Sequence, residues 1–230
     1  MSTGRKRTGG PAPAAAVTGL LLAGGSSSRM GFSKAVATLG GETLVARAAR
    51  LLADLTGTVL IVSRDRTVAE GLPYRVVDSE VPGVGPLAAL AAGLRECRTP
   101  WALALACDLP LFPAGLAVYM LEVASSEDGW QAVVPRWNGF WEPLAALYAP
   151  SCLAAIEEAL ARGERRLASF YPRVRVRPVE EREIRLYAPP QLAFFNVNSP
   201  EDLARLRGLG QFVKEQGQHA SGGTVAQALG

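Results

Sequence analysis

The sequence predicts a three-layer α/β fold, a mainly parallel β-sheet with helices on both faces. Two observations carry that expectation. Apolar runs of strand length alternate with stretches of helical periodicity from residue 17 to about residue 135, the pattern of an α/β layer structure. The runs Leu20-Leu21-Leu22, Thr58 to Val62 and Trp101 to Ala106 are continuous rather than alternating, as strands covered on both faces are. The chain has 230 residues, 49% hydrophobic and 20% charged, an ordinary globular composition with enough length for one full core.

The elements follow in order. Met1 to Ala16 is rich in Gly, Pro, Ala and Arg without periodicity, so a disordered arm is expected there. The first strand ends at Leu22, and Ala35 to Leu39 with the Gly40-Gly41 turn leads to a helix over Thr43 to Leu55. Its Leu44, Ala48, Leu51, Leu52 and Leu55 recur on one face. Thr58 to Val62 is a strand, Thr67 to Gly71 a short helix and Tyr74 to Val77 another strand. Pro86 to Arg95 is a helix opened by proline, Trp101 to Ala106 a strand, Pro113 to Ser125 a helix and Ala132 to Pro135 a strand. Asn138-Gly139 signals a turn, and Leu144 to Tyr148 suits a strand.

Ser151 to Arg162 reads as a helix with Ser151 as N-cap and Gly163 as terminator. Val174 and Val176, alternating with Arg173, Arg175 and Arg177, suit an edge strand with one charged face. Phe194 to Val197 reads as a last strand. Ser199-Pro200-Glu201-Asp202 opens a helix to Leu209 with N-cap, N1 proline and acidic first turn. A frayed tail is expected from Gly210. No internal repeat is visible, so residues 17–209 read as one domain between an arm, 1–16, and a tail, 210–230.

Composition excludes several chemistries. The one histidine, His219, lies in the tail, which removes Ser-His-Asp, Cys-His and histidine-metal sites and any imidazole base. Cys97, Cys107 and Cys152 are odd in number without paired spacing, which argues for buried thiols in a reducing compartment. The net charge of +3 demands neither nucleic acid nor a membrane surface. Arg5-Lys6-Arg7 ahead of Ala14 to Ala23 imitates a signal peptide, but Pro11, Pro13 and Gly19 interrupt the run and cleavage would remove the first strand. A cytoplasmic protein is expected.

Chemistry concentrates in Leu20 to Lys34, where three leucines run into Ala23-Gly24-Gly25 and three serines, then Arg29 and Lys34. Glycines let a ligand approach the backbone, successive N–H groups converge on anions, and the two cations neutralise phosphate. The segment reads as a nucleotide phosphate loop, a glycine-rich turn serving topology alone being the alternative. Of the 24 basic side chains only Lys6, Lys34 and Lys214 are lysines, so Lys34 alone falls between the arm and the tail. It is neither a Walker loop, because Ser33 precedes Lys34, nor a G-x-G-x-x-G fingerprint.

The segment resembles the signature L-A-G-G-x-S-x-R-M-G-x-x-K of the molybdenum cofactor guanylyltransferases, among the Rossmann-like nucleotidyltransferases. Asp108 ends a buried strand in Cys107-Asp108-Leu109-Pro110, and one carboxylate plus substrate phosphates suffices for Mg2+. That string resembles the family's metal motif; a helix cap is the other reading of Asp108. Gly85-Pro86-Leu87-Ala88 resembles a segment whose backbone approaches the nucleotide, and Asp78 follows a strand where the family contacts nucleotide. Gly163-Glu164-Arg165-Arg166 and Phe195-Asn196-Val197-Asn198-Ser199-Pro200-Glu201-Asp202-Leu203 match two further family segments. The alternation of Asn196 and Asn198 along a strand would aim both at one face; a structural turn and solvated arginines are the alternatives.

What the resemblance implies is a Rossmann-like nucleotidyltransferase using Mg2+ and transferring GMP from GTP to the molybdopterin cofactor. It implies nucleotide contacts at Leu22, Ala23, Gly24, Gly25, Lys34, Ser63, Asp78, Gly85 and Asp108, with Arg29, Lys34 and Asp108 catalytic and Asp108 on the metal. Arg165, Arg166, Asn196 and Asn198 would hold the acceptor, and molybdoenzyme apoproteins or their chaperones would take the product. Ser63 stands where the family often has Asn to read the base, which leaves cytosine open beside guanine. A cytidylyl- or sugar-phosphate nucleotidyltransferase of the same fold, or a module that binds and delivers cofactor without turnover, are the other readings.

Overall fold

The computed structural model describes residues 17–23, 37–79, 85–126 and 129–217. The expected arm and the ends of the tail, 1–16 and 218–230, lie outside them, as does the glycine-serine loop with its two cations, 24–36. Strand β1 (Val17–Leu22) is buried at every residue and lies between β4 (Thr58–Val62) and β6 (Trp101–Ala106), parallel to both. Strand β5 (Arg75–Val77) adds a parallel edge to β4. The expected α/β fold with a mainly parallel sheet is therefore present.

The other half of the sheet is mixed. Strand β9 (Ala145–Tyr148) runs antiparallel between β6 and β7 (Ala132–Trp137), and β10 (Val176–Glu180) closes the far edge parallel to β7. The full order is β10-β7-β9-β6-β1-β4-β5, with β8 (Phe140–Trp141) paired on β7. Because β9 opposes both neighbours, β7 and β10 point the same way as β6. Six strand ends therefore reach one carboxyl edge, those of β5, β4, β1, β6, β7 and β10.

Helix α1 (Leu44–Leu55) packs on one face with α3 (Ala114–Ser126), and α2 (Gly85–Glu96) with α4 (Leu153–Ala161) on the other. Between β1 and α1, the short strands β2 (Thr38–Leu39) and β3 (Glu42–Thr43) form the expected Gly40-Gly41 hairpin. Thr43 caps α1, its Oγ accepting from the Ala46 N–H at 3.1 Å, a bond worth about 1 kcal/mol. The helix buries Leu44, Val45, Ala48, Ala49 and Leu52, each leucine contributing about 1.5–3 kcal/mol. Its last turn sits directly on β1, since a Cβ at Gly19 would fall 2.9 Å from Thr56 Oγ1 and 3.0 Å from Leu52 Cβ. Cys97, Cys107 and Cys152 are buried thiols outside any disulfide, as expected. No helix among the described residues is long and apolar enough to cross a membrane.

Several expected elements are corrected. Phe194 to Val197 is not a strand: after α5 (Glu181–Ile184), α6 (Pro190–Ala193) ends at Phe194, and the chain then runs irregularly to α7 (Pro200–Gly217), tied by the Val197 N–H to the Asp108 carbonyl at 2.9 Å. No further sheet position exists there, because the lines beside β6 are already taken by β1 and β9. Helix α7 passes Leu209 and continues to Gly217. Ser151 does not cap α4; it lies in a 3-10 turn, Pro150–Cys152, and its Oγ accepts from Gln131 Nε2. The turn around Thr67 is likewise 3-10, Arg66–Ala69. Strand β10 starts at Val176, so Arg173 and Arg175 precede it, and the three arginines do not form one charged face: Arg173 pairs with Glu158, Arg175 lies over Trp130 and Arg177 pairs with Glu183.

Candidate nucleotide site at the carboxyl edge of the sheet

Register aligns the candidate residues. Val77, Val62, Leu22 and Ala106 form one transverse row across β5, β4, β1 and β6, so Asp78, Ser63, Ala23 and Cys107 each stand one residue past it. Strands lie roughly 4.8 Å apart, which makes this row about 14 Å long from Asp78 to Cys107, the scale of an extended nucleotide. Hydrogen bonds tie the row together beyond the sheet. The Ala23 N–H donates to the Val62 carbonyl at 3.0 Å, and the Ser63 N–H to the Val77 carbonyl at 3.0 Å.

The two residues that bound the glycine-serine loop are fixed. Ala23 is buried and bonded to β4. Ala37 is buried and its carbonyl accepts from the Leu44 N–H at 2.9 Å. Gly24, Gly25, Arg29 and Lys34 lie between them, outside the described residues. Ala23 directly follows the carboxyl end of β1, and Ala37 is tied to the first residue of α1.

Ser63 is 2% exposed and its hydroxyl is engaged. Its one proton has the Asp65 carbonyl at 2.9 Å and the Ala23 carbonyl at 3.3 Å within reach, while the oxygen accepts from the Asp65 N–H at 3.1 Å. Such a side chain braces the end of β1 rather than reaching toward a base. Leu22 is likewise buried, so it can offer only backbone. Asp78, in contrast, is exposed.

Asp108 is half-buried, with Oδ1 buried, and its carbonyl holds Val197. Through that bond the segment Asn196-Val197-Asn198 lies beside the end of β6. Val197 is buried while Asn196 and Asn198 are exposed. Asn196 Nδ2 donates to the Phe194 carbonyl at 3.3 Å, and the Asn198 N–H to Asp202 Oδ2 at 2.9 Å. Asp202 and Ser199 cap α7 reciprocally, Ser199 N–H to Asp202 Oδ2 and Asp202 N–H to Ser199 Oγ.

Gly85 opens α2 with φ of 77°, a left-handed value that favours glycine. Among the described residues its nearest non-local neighbour is the Arg165 carbonyl, 3.8 Å from where a Cβ would stand. Arg165 and Arg166 are exposed, and they sit with α2 and α4 on the sheet face opposite α1 and α3. The proposed acceptor residues are thus divided: the asparagines border Asp108 on one side, and Arg165 borders the start of α2 on the other.

Residues that sequence reasoning passed over also reach this edge, namely Trp137, Phe140, Trp141 and Glu142 on the β7–β8 hairpin. The available signal was aromatic density, three of the chain's four tryptophans falling within 130–141. The hairpin turn is read correctly from Asn138-Gly139, which carry φ of 49° and 79°, the left-handed pair such turns require.

A mainly parallel sheet that brings the end of β1, a helix start and a strand-end carboxylate to its carboxyl edge has the architecture of a nucleotide-binding α/β protein. The chain belongs to the MobA-like NTP transferase family, whose domain matches residues 19–176. It is 38% identical over 190 residues to a protein of Pelotomaculum thermopropionicum named "Probable molybdenum cofactor guanylyltransferase", covering 83% of this chain and 91% of that one. It is 36% identical over 188 residues to the molybdenum cofactor guanylyltransferase of Pseudomonas putida, covering 80% and 94%. Among solved structures it is similar to molybdopterin-guanine dinucleotide biosynthesis protein A of Archaeoglobus fulgidus, with a TM-score of 0.73 and 25% identity over 85% of this chain and 99% of the other.

Proposed function

We propose that this chain transfers GMP from GTP to the molybdopterin cofactor and releases pyrophosphate, acting in the cytoplasm with Mg2+. The observation that carries the reading is the single row at which Ala23, Ser63, Asp78 and the Cys107-Asp108 turn end their strands, in a chain of this family. An oxygen of the acceptor's terminal phosphate attacks the α-phosphorus of GTP. The new P–O bond forms as the bond to the α–β bridging oxygen breaks, and its electron pair leaves with pyrophosphate.

The attacking oxygen is already anionic, so no side-chain base is required. Catalysis reduces to positioning and charge neutralisation. In this reading the loop amides of Gly24 and Gly25 with Arg29 and Lys34 hold the phosphates, and the backbones of Leu22, Ala23 and Gly85 with Asp78 shape the nucleotide side. Ser63 keeps the end of β1 in register with β4, and Asn196 and Asn198 orient the acceptor beside Asp108. Arg165 and Arg166 offer positive charge near the start of α2.

The donor set suits Mg2+ of one kind only. Among the described residues no group of three or more His, Cys, Asp or Glu side chains converges. Asp108 alone, as one hard carboxylate, fits an ion that takes its remaining ligands from phosphate and water. Bound there, Mg2+ would neutralise charge accumulating on the phosphates. The three buried thiols outside any disulfide support a reducing compartment, and molybdoenzyme apoproteins or their chaperones are the recipients this reading implies.

The test is incubation with molybdopterin, Mg2+ and each nucleoside triphosphate in turn, reading pyrophosphate. GTP-dependent release that needs the pterin is expected. Preference for CTP would move the chain to the cytidylyl alternative, and tight binding of nucleotide and pterin without any release would make it a delivery module.

A further inference from the structure

The hairpin at the other half of the edge carries a group that the reaction as proposed leaves unused. Glu142 follows β8 at a bend before β9, its N–H donating to the Pro135 carbonyl at 2.9 Å and its own carbonyl accepting from Ala145 at 3.2 Å. Two residues on, the Leu144 carbonyl accepts from the Ala106 N–H at 2.8 Å. Glu142 is therefore held between the carboxyl ends of β7 and β6, on the strand line next to Asp108.

Its side chain is fixed but not neutralised. Glu142 Oε1 accepts from the Trp137 indole N–H at 2.9 Å, and among the described residues the carboxylate has no ion-pair or further hydrogen-bond partner. Burial pushes its carboxyl above the usual range, against the pull of the indole bond. A half-buried carboxylate with a spare oxygen costs stability unless something donates to it. Trp137 stacks on Phe194 at 6.5 Å between centroids and 21° between planes, and Phe194 leads into Asn196. Phe140 opposes Trp137 in the hairpin register and is 71% exposed.

Topology says what this group would meet. Nucleotide contacts line the half of the edge formed by β5, β4 and β1, with Asp108 at the centre, so the acceptor must come from the half that the hairpin occupies. Building on the guanylyltransferase reading, we infer that Glu142 and the exposed Phe140 form the subsite for the acceptor's fused pterin ring. The aromatic ring gives that heterocycle a face to pack on. The ring's adjacent N–H and amino donors match Oε2 together with the second lone pair of Oε1, the first being taken by Trp137. Asn196 stands between this subsite and Asp108, where the phosphate end of the acceptor reacts.

The experiment is a fluorescence titration of molybdopterin into the wild-type protein, Glu142→Gln and Phe140→Ala, with unliganded melts and GTP kinetics alongside. Gln keeps an acceptor for Trp137 but loses the charge and offers a donor where an acceptor is needed. The expected result is pterin affinity lower by about tenfold or more in Glu142→Gln and severalfold in Phe140→Ala, with melts and KM for GTP unchanged. Wild-type pterin affinity in both variants, or weakened pterin binding explained by a collapsed melt in both, overturns the inference. Its failure is separable from that of the reading beneath it: turnover of GTP by all three proteins alike sinks the subsite and leaves the activity. Pterin binding sensitive to Glu142 without any pyrophosphate release does the reverse.

Discussion

Replacing Ser63 by alanine separates two roles that the residue's position would allow. The hydroxyl is 2% exposed and makes a donor bond to the Asp65 carbonyl at 2.9 Å and an acceptor bond from the Asp65 N–H at 3.1 Å, with the Ala23 carbonyl 3.3 Å away. Alanine removes these bonds without adding bulk and leaves the Asp65 N–H and the one carbonyl served by the hydroxyl proton short of a partner. Each neutral bond is worth about 0.5–1.5 kcal/mol, more where a buried group is orphaned, so a loss of roughly 1–3 kcal/mol is expected. For a chain of this size that lowers Tm by about 2–12 °C. Binding of GTP should weaken modestly because Ala23 loosens at the foot of the loop, yet the GTP-to-CTP ratio should not change. Melts by circular dichroism and thermal-shift titrations with both nucleotides read the two effects. An unchanged Tm together with a collapsed GTP-to-CTP ratio would refute the bracing role and make Ser63 a reader of the base.

The other predictions concern charge and the acceptor. Asp108→Ala should cut turnover roughly a hundredfold or more, the scale of losing one key electrostatic stabiliser; near-normal rates at ordinary Mg2+ would end its metal role. Lys34→Ala should raise KM for GTP and lower kcat with little change in the unliganded melt, and Lys34→Arg should rescue poorly because a planar fork replaces a point charge; unaltered steady-state kinetics would remove it from the site. Asn196→Ala with Asn198→Ala should raise KM for the pterin and leave GTP affinity nearly constant; the opposite pattern would move them to the nucleotide. Glu183 is pushed up by partial burial but held at about 2 by hydrogen bonds from Arg177, Tyr119 and the Glu180 N–H, with the Arg177 charge. A depressed pKa contributes stability above the unfolded value of 4.5 and loses it as pH falls toward 2. Urea melts should therefore show Glu183→Gln less stable than wild type near neutrality and converging on it through that window; a constant difference would disprove the linkage.

The parallel half of the fold was legible because its signals are local. Leu20 to Leu22, Thr58 to Val62 and Trp101 to Ala106 are apolar on both faces, and each is a strand with the expected end. Strand ends in a parallel sheet fall at one edge, so Ala23, Ser63, Asp78 and Asp108 were placed together by topology alone. The mixed half was harder. Phe194 to Val197 has the composition of a strand, but a strand also needs a free neighbour in the sheet, and periodicity carries no information about which lines are occupied. The arginines at 173, 175 and 177 alternate as a charged face would, yet partners distant in sequence, Glu158 and Trp130, claim two of them. Aromatic density at 130–141 was visible, but its position at the ligand edge depends on β9 reversing between β6 and β7.

That reversal decides how the edge can work. With β9 antiparallel, the β7–β8 hairpin emerges on the same edge as Ala23 and Asp108, and the bend at Glu142 to Leu144 brings it against the end of β6. Asp108 then stands between two differently built halves: one of backbone, glycine and small side chains, where an extended polyphosphate can lie close, and one of indole, phenyl and amide, which suits a fused ring. Arg165 departs from that division, since its carbonyl lies by Gly85 on the α2 face. The Arg165 backbone thus borders the start of α2, whereas Asn196 borders Asp108. If Arg165 acts, removing it should be felt in KM for GTP or in pyrophosphate release before it is felt in pterin binding, the reverse of the asparagines.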